Sequence, residues 1–111
     1  MKKINFELLK NSKLIISEKN ISCIDNDKLI FMIENDKYTI FNDTLIRKNN
    51  EEEIVLEFKN NNCKVYINGY NGYIEIKLDV IEYKKLDNII TIKYKIETEE
   101  NVINTIKIEY I

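Results

Sequence analysis

Few residues in this 111-residue chain could carry chemistry: one arginine, Arg47, two cysteines, and a run of three glutamates at 51–53. A guanidinium presents a fixed fork of donors that suits a carboxylate or phosphate on a ligand. The alternative is a salt bridge between Arg47 and one of the nearby glutamates. Histidine is absent, so no imidazole is present as a metal ligand or as a general base near neutral pH.

The cysteines and the glutamates do not form a reactive group. Two thiols without histidine or a second cysteine pair do not make a zinc site. Cys63 shares a strand face with Val65 and Ile67, which predicts a buried, inert thiol, and we expect the same of Cys23. Consecutive glutamates on an extended chain point to opposite faces and converge poorly on one ion. We therefore predict no catalytic residue, no metal and no cofactor, and a protein that is not an enzyme.

Aromatic side chains are the better candidates for binding. Alternation of apolar and polar residues places Tyr94 and Tyr110 on the inner face of the predicted fold and Tyr83 on its outer face. At an open end of that fold, inward aromatic rings would surround a small ligand. The candidate ligand-binding residues are Arg47, Phe58, Tyr94 and Tyr110.

The elements that must position these residues are β-strands. The chain has no alanine or proline and is rich in isoleucine, which favours strands over helices. Apolar residues recur with a period of two, and Asn- and Asp-rich turns separate short runs of similar length. The pattern predicts one all-β domain over residues 1–111, an antiparallel up-and-down β-barrel of about eight to ten strands. Closure would remove open strand edges, but a two-sheet sandwich uses the same alternation.

The segment VYINGYNGYIEIK, residues 65–77, contains both glycines of the chain, each after an asparagine. Asn-Gly between alternating strands is typical of a type I′ hairpin, in which both central residues have positive φ. The sequence thus predicts a hairpin turn here. Tyr70 and Tyr73 would be presented by it and are candidate interaction residues, because tyrosine is common at protein interfaces.

Some apolar residues fall outside the regular alternation. The run KLIFMIE, residues 28–34, has five consecutive apolar residues, which predicts a strand covered on both faces or one at the tight end of a barrel. Outward apolar residues are predicted at Ile30, Met32, Ile89 and Ile103. They could form a docking surface or cover one another.

Charge and hydropathy limit the partners. The formal net charge is −2 with the two signs interspersed, so no basic stripe is available for nucleic acid. No segment approaches the roughly 20 apolar residues of a membrane span, and the amino terminus has no apolar signal-peptide core. We expect a cytoplasmic protein with reduced thiols, no nucleic-acid partner and no membrane association.

From Lys37 to Ile111 the order of features resembles the YwiB-like family, uncharacterised small bacterial proteins with a calycin-like β-barrel. The similar features are Arg47 before a polar turn, Phe58 at a strand end, Cys63-Lys64 entering the next strand, and two late Ile-x-Tyr segments ending at Tyr94 and Tyr110. The chain departs from the family where Lys48-Asn49 follows the arginine in place of a glycine. The resemblance implies a calycin-like barrel and no particular activity.

These observations together predict a non-enzymatic binding protein that takes a small molecule at one barrel end. With eight strands, about 14 residues would be available for each strand and its turn, which makes a short barrel that large side chains can fill. The alternative is a protein-interaction module, or a homodimer, with a side-chain-filled barrel.

Overall fold

The computed structural model describes residues 2–111, which form ten β-strands and no helix. Residues 2–111 thus contain no helix long and apolar enough to cross a membrane. Each strand pairs antiparallel with its sequence neighbours, and β10 pairs with β1 to close the barrel. The predicted up-and-down barrel is confirmed, and closure rules out the two-sheet sandwich. The strands are β1 Lys2–Lys10, β2 Lys13–Asp25, β3 Leu29–Ile33, β4 Asp36–Phe41, β5 Thr44–Lys48, β6 Glu52–Glu57, β7 Asn62–Ile67, β8 Ile74–Lys85, β9 Ile89–Ile96 and β10 Glu99–Tyr110.

Large side chains fill the centre of the barrel, because the alternating apolar residues of every strand point inward. Phe6, Phe31 and Tyr38 form an aromatic cluster on β1, β3 and β4, with ring centroids 5.1–5.5 Å apart. Such ring pairs add about 0.5–1.5 kcal/mol each beyond the burial of their area. Phe6 and Phe31 are at most 2% exposed, so this part of the barrel is a packed core.

A β-bulge in β8 reverses which of the following side chains point into the barrel and which point outward. The register against β9 shifts between Val80 and Glu82, so the residues after the shift exchange faces. Tyr83 therefore points inward and packs against the core. The prediction that Tyr83 faces outward was wrong, because it continued the alternation of β8 through this bulge.

The antiparallel order places alternate turns at opposite ends of the barrel. One end, here called the aspartate end, holds the turns that follow β2, β4, β6 and β8, with Asp27, Asp43 and Asp87 among them. The other, here called the Asn-Gly end, holds the turns that follow β1, β3, β5, β7 and β9, including Asn68 to Tyr73.

The Asn-Gly segment is the loop of the β7–β8 hairpin, as predicted, but its turn is not of type I′. Gly69 and Gly72 have φ of 84° and 92°, whereas neither asparagine is among the residues with positive φ. The Tyr70 amide donates to the Ile67 carbonyl at 3.0 Å, so Gly69 takes the third position of a type II-like turn. Asn68 is held instead by the β5–β6 loop, because its side-chain amide donates to the Asn50 carbonyl at 3.2 Å.

Two consecutive positive φ values, as in a type I′ turn, occur instead at Asn11-Ser12 between β1 and β2 and in the turn between β4 and β5. Asn42 and Asp43 have φ of 47° and 58°, the two positive values that this hairpin requires. Asn and Asp tolerate the left-handed region better than other residues with a Cβ. The turn therefore fixes Asp43 at the aspartate end.

Candidate functional site

A hollow of about 390 Å³ opens at the aspartate end of the barrel. Its floor is made by Leu29, Ile40 and Ile90, inner-face residues that are 2–7% exposed. The hollow thus reaches the top of the core instead of lying on the outer wall. Its volume is at the lower end of the roughly 300–1,000 Å³ range of small-molecule sites. The remaining lining residues are Asp25, Asn26, Asp27, Phe41, Asn42, Asp43, Tyr83, Lys85 and Tyr110.

An aromatic column supports one wall of the hollow. The Tyr83 ring lies 5.5 Å from the Phe58 ring, and Phe58 lies 5.7 Å from the Tyr94 ring. Phe58 follows β6, and its amide donates to the Asp43 carbonyl at 3.1 Å. The turn that carries Asp43 and the column that carries Tyr83 are therefore joined, which makes this wall pre-organised.

Both tyrosines of the hollow keep their protons well above neutral pH. Burial, followed by the Asp43 carboxylate that accepts the Tyr83 hydroxyl, raises the pKa of Tyr83. Burial, followed by the charge of Asp25, raises the pKa of Tyr110. Each hydroxyl is thus a neutral hydrogen-bonding group beside a carboxylate. The two tyrosines offer oxygen acceptors and aromatic faces to a ligand, but neither is a base near neutral pH.

The charge of the lining is predominantly negative. It contains three carboxylates, those of Asp25, Asp27 and Asp43, against one ammonium group, that of Lys85. Asp25 also pairs with Lys2 at 3.2 Å, with the Lys2 side chain 63% exposed. An exposed ion pair of this kind contributes little stability and is easily exchanged for another cation. The hollow is therefore suited to a cation or a hydrogen-bond donor.

The predicted ligand-binding residues are separated along the barrel. Tyr110 lines the hollow, while Phe58 and Tyr94, 5% and 7% exposed, lie in the core beneath Tyr83. Arg47 lies near the other end, since the neighbouring Lys48 pairs with Glu53 beside the β5–β6 loop. The structure thus places Tyr110 at a site and makes Phe58 and Tyr94 its support. Arg47 does not line the hollow, but its charge partly opposes the rise that burial causes in the pKa of Tyr94.

Arg47 has partners within the chain. It forms an ion pair with Glu52 at 3.8 Å, so the salt bridge that the sequence left open as an alternative is present. The guanidinium also faces its cross-strand neighbour Tyr38. Burial raises the pKa of Tyr38, and Arg47 partly opposes that shift. Arg47 therefore limits the rise in the pKa of the buried Tyr38 phenol near the Asn-Gly end.

The cysteines and the glutamate run behave as their positions predict. Cys63 is buried, and burial raises the pKa of its thiol to about 11. Cys23 is buried as well, and its pKa is raised by the same cause. Glu52 and Glu53 take opposite faces, since one pairs with inward Arg47 and the other with Lys48 at 3.9 Å. Among residues 2–111, no three His, Cys, Asp or Glu side chains are grouped to bind a metal ion.

Two further hollows at the Asn-Gly end are weaker candidates for a ligand site. One, of about 510 Å³, is bordered by charged side chains of both signs from β8 to β10 and includes one buried core residue, Leu78. The other, of about 380 Å³, lies between the β5–β6 loop and Tyr66, without a buried residue in its lining. Neither combines a core floor with paired tyrosines, so the aspartate end is the candidate site.

The predicted interaction residues lie on different parts of the outer surface. Tyr70 is 68% exposed at the tip of the β7–β8 loop. Tyr73 is 47% exposed, and its ring lies 5.2 Å from the Tyr66 ring, with the Lys64 ammonium 5.3 Å from its centroid. Tyr70 is therefore free to contact a partner, while Tyr73 already has intramolecular contacts.

The four predicted outward apolar residues do not all lie together on the barrel wall. Ile30 and Met32 lie together on β3, where Met32 is 53% exposed, so this strand is not covered on both faces. Ile89 and Ile103 lie on β9 and β10, away from β3. Ile30 also lies opposite exposed Ile24 on β2, whereas Ile89 and Ile103 lie on a different part of the outer wall.

Sequence reasoning missed Tyr83, Asp25 and Asp43 as residues of the hollow. The adjacent apolar pair Val80-Ile81 interrupts the alternation of β8 and is the signal that could have indicated the bulge. The sequence indicates turns at these aspartates, but it does not show which turns lie together at one end of the barrel. That information comes from the closed strand order.

Comparisons of the chain with protein-family models, with curated proteins and with solved structures found no match. The resemblance to the YwiB-like family therefore stays a prediction.

Proposed function

We propose that this small β-barrel is a non-enzymatic binding protein that takes a small molecule at its aspartate end. The observation that carries the proposal is the hollow of about 390 Å³ whose floor is the barrel core and whose wall holds Tyr83 and Tyr110. Ligand sites in proteins are typically concave, mostly apolar and provided with a few placed polar groups. This hollow is concave and has an apolar floor, whereas its rim is polar and carries Asp25, Asp27 and Asp43.

The chemistry of the wall favours a ligand with a cationic group joined to a small apolar body. Carboxylates at Asp25, Asp27 and Asp43 attract an ammonium group, and aromatic faces stabilise a cation by about 0.5–2 kcal/mol. The apolar body would lie on Leu29, Ile40 and Ile90. An anionic ligand would face three carboxylates across a short distance and is disfavoured.

An enzymatic role finds less support in the same residues. The tyrosine pKa values are raised and not lowered, and each phenol is held beside a carboxylate that favours its protonated form. A general base or acid works best with a pKa near the operating pH. Binding without chemistry is the simpler function for this wall.

The proposal is tested with three probes that share one ring and differ in their head group: benzylamine, benzyl alcohol and benzoate. Each is titrated into ¹⁵N-labelled protein, and amide shifts are followed by NMR. We expect benzylamine to shift amides of the turns that follow β2 and β4, benzyl alcohol to do so more weakly, and benzoate to leave them unchanged. Equal shifts by benzoate, or benzylamine shifts confined to the Asn-Gly end, would contradict the proposal.

A matched pair of variants distinguishes binding at this site from a general effect of net charge. Asp43→Asn removes a carboxylate of the hollow while keeping the shape of the turn, and it should weaken benzylamine binding several-fold. Asp79→Asn removes an exposed carboxylate on β8 that borders another hollow, and it should leave the affinity unchanged. Equal losses in both variants would indicate a non-specific effect of net charge.

Protein–protein interaction is the second candidate function. The observation that favours it is the group of outward apolar residues Ile24, Ile30 and Met32 on β2 and β3, because contiguous apolar patches on a protein surface often mark docking sites. These residues lie on the outside of the wall, whereas a small-molecule ligand would enter at the barrel end. The two functions are therefore compatible in one molecule.

A further inference from the structure

Strand β8 has a free edge next to the aspartate-end hollow. Its residues 74–77 pair with β7, and the Leu78 amide donates to the Asn61 carbonyl at 2.9 Å. The chain before Asn61 turns away towards β6. Among residues 2–111, no strand pairs with Asp79–Lys85 on this side, and β8 approaches no strand other than β7 and β9. The sheet is therefore open along this part of β8.

Two residues of this edge direct their main-chain groups towards the open side. The Leu86 amide donates to the Ile89 carbonyl at 2.8 Å across the β8–β9 turn, so these two residues form a hydrogen-bonded pair. Hydrogen-bonded and non-hydrogen-bonded pairs alternate along an antiparallel ladder. Lys85 and Tyr83 lie one and three positions before Leu86 in the β8–β9 register, so they belong to non-hydrogen-bonded pairs. Their N–H and C=O groups therefore point away from β9.

The same two residues, Tyr83 and Lys85, line the hollow. Residues directly opposite each other on paired strands share one face of the sheet. Because Tyr83 points inward, a residue added opposite it would also point inward. A lysine side chain is about as long as that of tyrosine, so its ammonium group would reach the level of the Tyr83 hydroxyl. Asp43 accepts that hydroxyl and would then lie beside the ammonium group.

The form of the edge limits what can bind there. The bulge between Val80 and Glu82 interrupts the ladder at one end, and β8 ends before Leu86 at the other. Bulges and lysines on an edge strand discourage pairing with another long strand, and Lys84 and Lys85 are both exposed. The regular stretch that remains is long enough for a short peptide and too short for a strand of another folded protein.

We propose that the ligand of the aspartate end is a short peptide that binds as an added strand antiparallel to β8, with a lysine opposite Tyr83. This inference rests on the proposed function, because the ammonium group of the peptide occupies the carboxylate site described there. The methylene chain of the lysine supplies the small apolar body, and its main chain exchanges both hydrogen bonds with Tyr83. Addition of a strand to an open sheet edge is a general mode of peptide recognition. The three carboxylates of the hollow disfavour an acidic residue at the same position.

The test compares three short peptides. They are acetyl-Val-Lys-Val-amide, the same peptide methylated on the main-chain nitrogen of its lysine, and the same peptide with norleucine in place of lysine. Methylation removes the N–H and keeps the ammonium group, whereas norleucine keeps the N–H and removes the ammonium group. Binding to the ¹⁵N-labelled full chain is followed by NMR, and we expect each change to weaken it about tenfold.

The main-chain amides of β8 give a second readout in the same titration. In the added strand, the lysine carbonyl accepts from the Tyr83 amide and the acetyl carbonyl accepts from the Lys85 amide. Both amide protons should shift downfield and exchange more slowly with solvent. The Lys84 amide points towards β9 and serves as the internal control, so its exchange should not change. Slower exchange at Lys84 alone, or at none of the three, would overturn the proposal.

A pair of variants tests the position of the ammonium group. Asp43→Asn should remove the preference for the lysine peptide over the norleucine peptide. Glu75→Gln is the matched control, because Glu75 is an exposed carboxylate of β8 near the Asn-Gly end, and it should keep that preference. An unchanged preference in Asp43→Asn, or an equal loss in both variants, would contradict a lysine beside Asp43.

The outcomes distinguish this inference from the proposed function on which it rests. If benzylamine binds at the aspartate end while the lysine peptide and its N-methylated form bind equally, the carboxylate site stands and the added strand is refuted. If benzylamine binds and the lysine peptide does not, the added strand is refuted as well. If neither compound binds, both proposals fail.

Discussion

The ring of Tyr83 packs against the ring of Phe58, with the two centroids 5.5 Å apart and the planes inclined by 41°. The contact exists because the β8 bulge turns Tyr83 inward. It joins the wall of the aspartate-end hollow to the barrel core. The shape of the candidate site is therefore coupled to the stability of the fold.

Phe58→Ala should destabilise the protein strongly and also loosen the hollow. Phe58 is 5% exposed and contacts two tyrosine rings, so its removal leaves a cavity in the core. We expect a loss of about 3–5 kcal/mol in the free energy of unfolding, measured by urea denaturation. Phe58→Leu keeps most of the volume and should cost clearly less. Equal costs for the two variants would mean that the cavity is not the cause.

Stability should fall in alkaline solution, in part because of Cys63. Burial raises the pKa of this thiol from 9.0 to about 11 in the folded protein. Between those values the unfolded chain loses the proton and the folded chain keeps it, so the unfolded state gains stability as the pH rises. The contribution of Cys63 is complete below pH 9 and is lost progressively towards pH 11.

The measurement is the free energy of unfolding of wild type and Cys63→Val at pH 7 and at pH 10. The raised pKa values of the buried tyrosines act in the same direction, so Cys63→Val should retain part of the decline. We expect the decline to be smaller in the variant. An identical decline in both proteins would show that Cys63 does not contribute to it.

Removing Arg47 should raise the pKa of Tyr38 further. Burial raises that pKa in the native protein, and the guanidinium opposes the shift by stabilising the phenolate. The experiment is an NMR titration of the Tyr38 ring in Arg47→Met. Lys48→Met serves as the control, because Lys48 takes the opposite face of β5 and pairs with Glu53. A Tyr38 pKa that is unchanged in Arg47→Met would place the guanidinium outside the range of the phenol.

Gly69→Ala should destabilise the β7–β8 hairpin through its backbone alone. Gly69 has φ of 84°, and a Cβ added there would meet nothing within 4 Å. The cost is that of a left-handed alanine, about 1–2 kcal/mol in the free energy of unfolding. Gly69→Asn should cost less, because asparagine enters the left-handed region more easily. If alanine and asparagine were equally costly, the strain would have another origin.

The fold could be predicted from the sequence because nearly every strand keeps a strict period of two, as in β9, where Ile90, Ile92 and Tyr94 are all buried. Closure followed from the number of short consecutive strands. The site could not be predicted to the same degree, because it depends on one local irregularity and on the strand order. The bulge at Val80 turned Tyr83 inward, and the meander brought Asp25 and Asp43 to one end.

The conformation of the β7–β8 turn could not be predicted from its local sequence either. Asn-Gly at 68–69 is the stronger type I′ signal, yet pairs of positive φ values occur at Asn11-Ser12 and at Asn42-Asp43. The contact of Asn68 with the β5–β6 loop decides its conformation, and that loop is distant in sequence. Here a tertiary hydrogen bond of the Asn68 side chain overrides the local preference of Asn-Gly for a type I′ turn.

The central claim, a small-molecule ligand at the aspartate end, is tested most directly by native mass spectrometry of protein purified gently from its own host. We predict an added mass of a few hundred daltons that is lost on denaturation, that is diminished in Asp43→Asn, and that is retained in Asp79→Asn. A bare polypeptide mass for wild type and both variants would contradict the claim. An added mass that persists equally in both variants would place the ligand elsewhere on the protein.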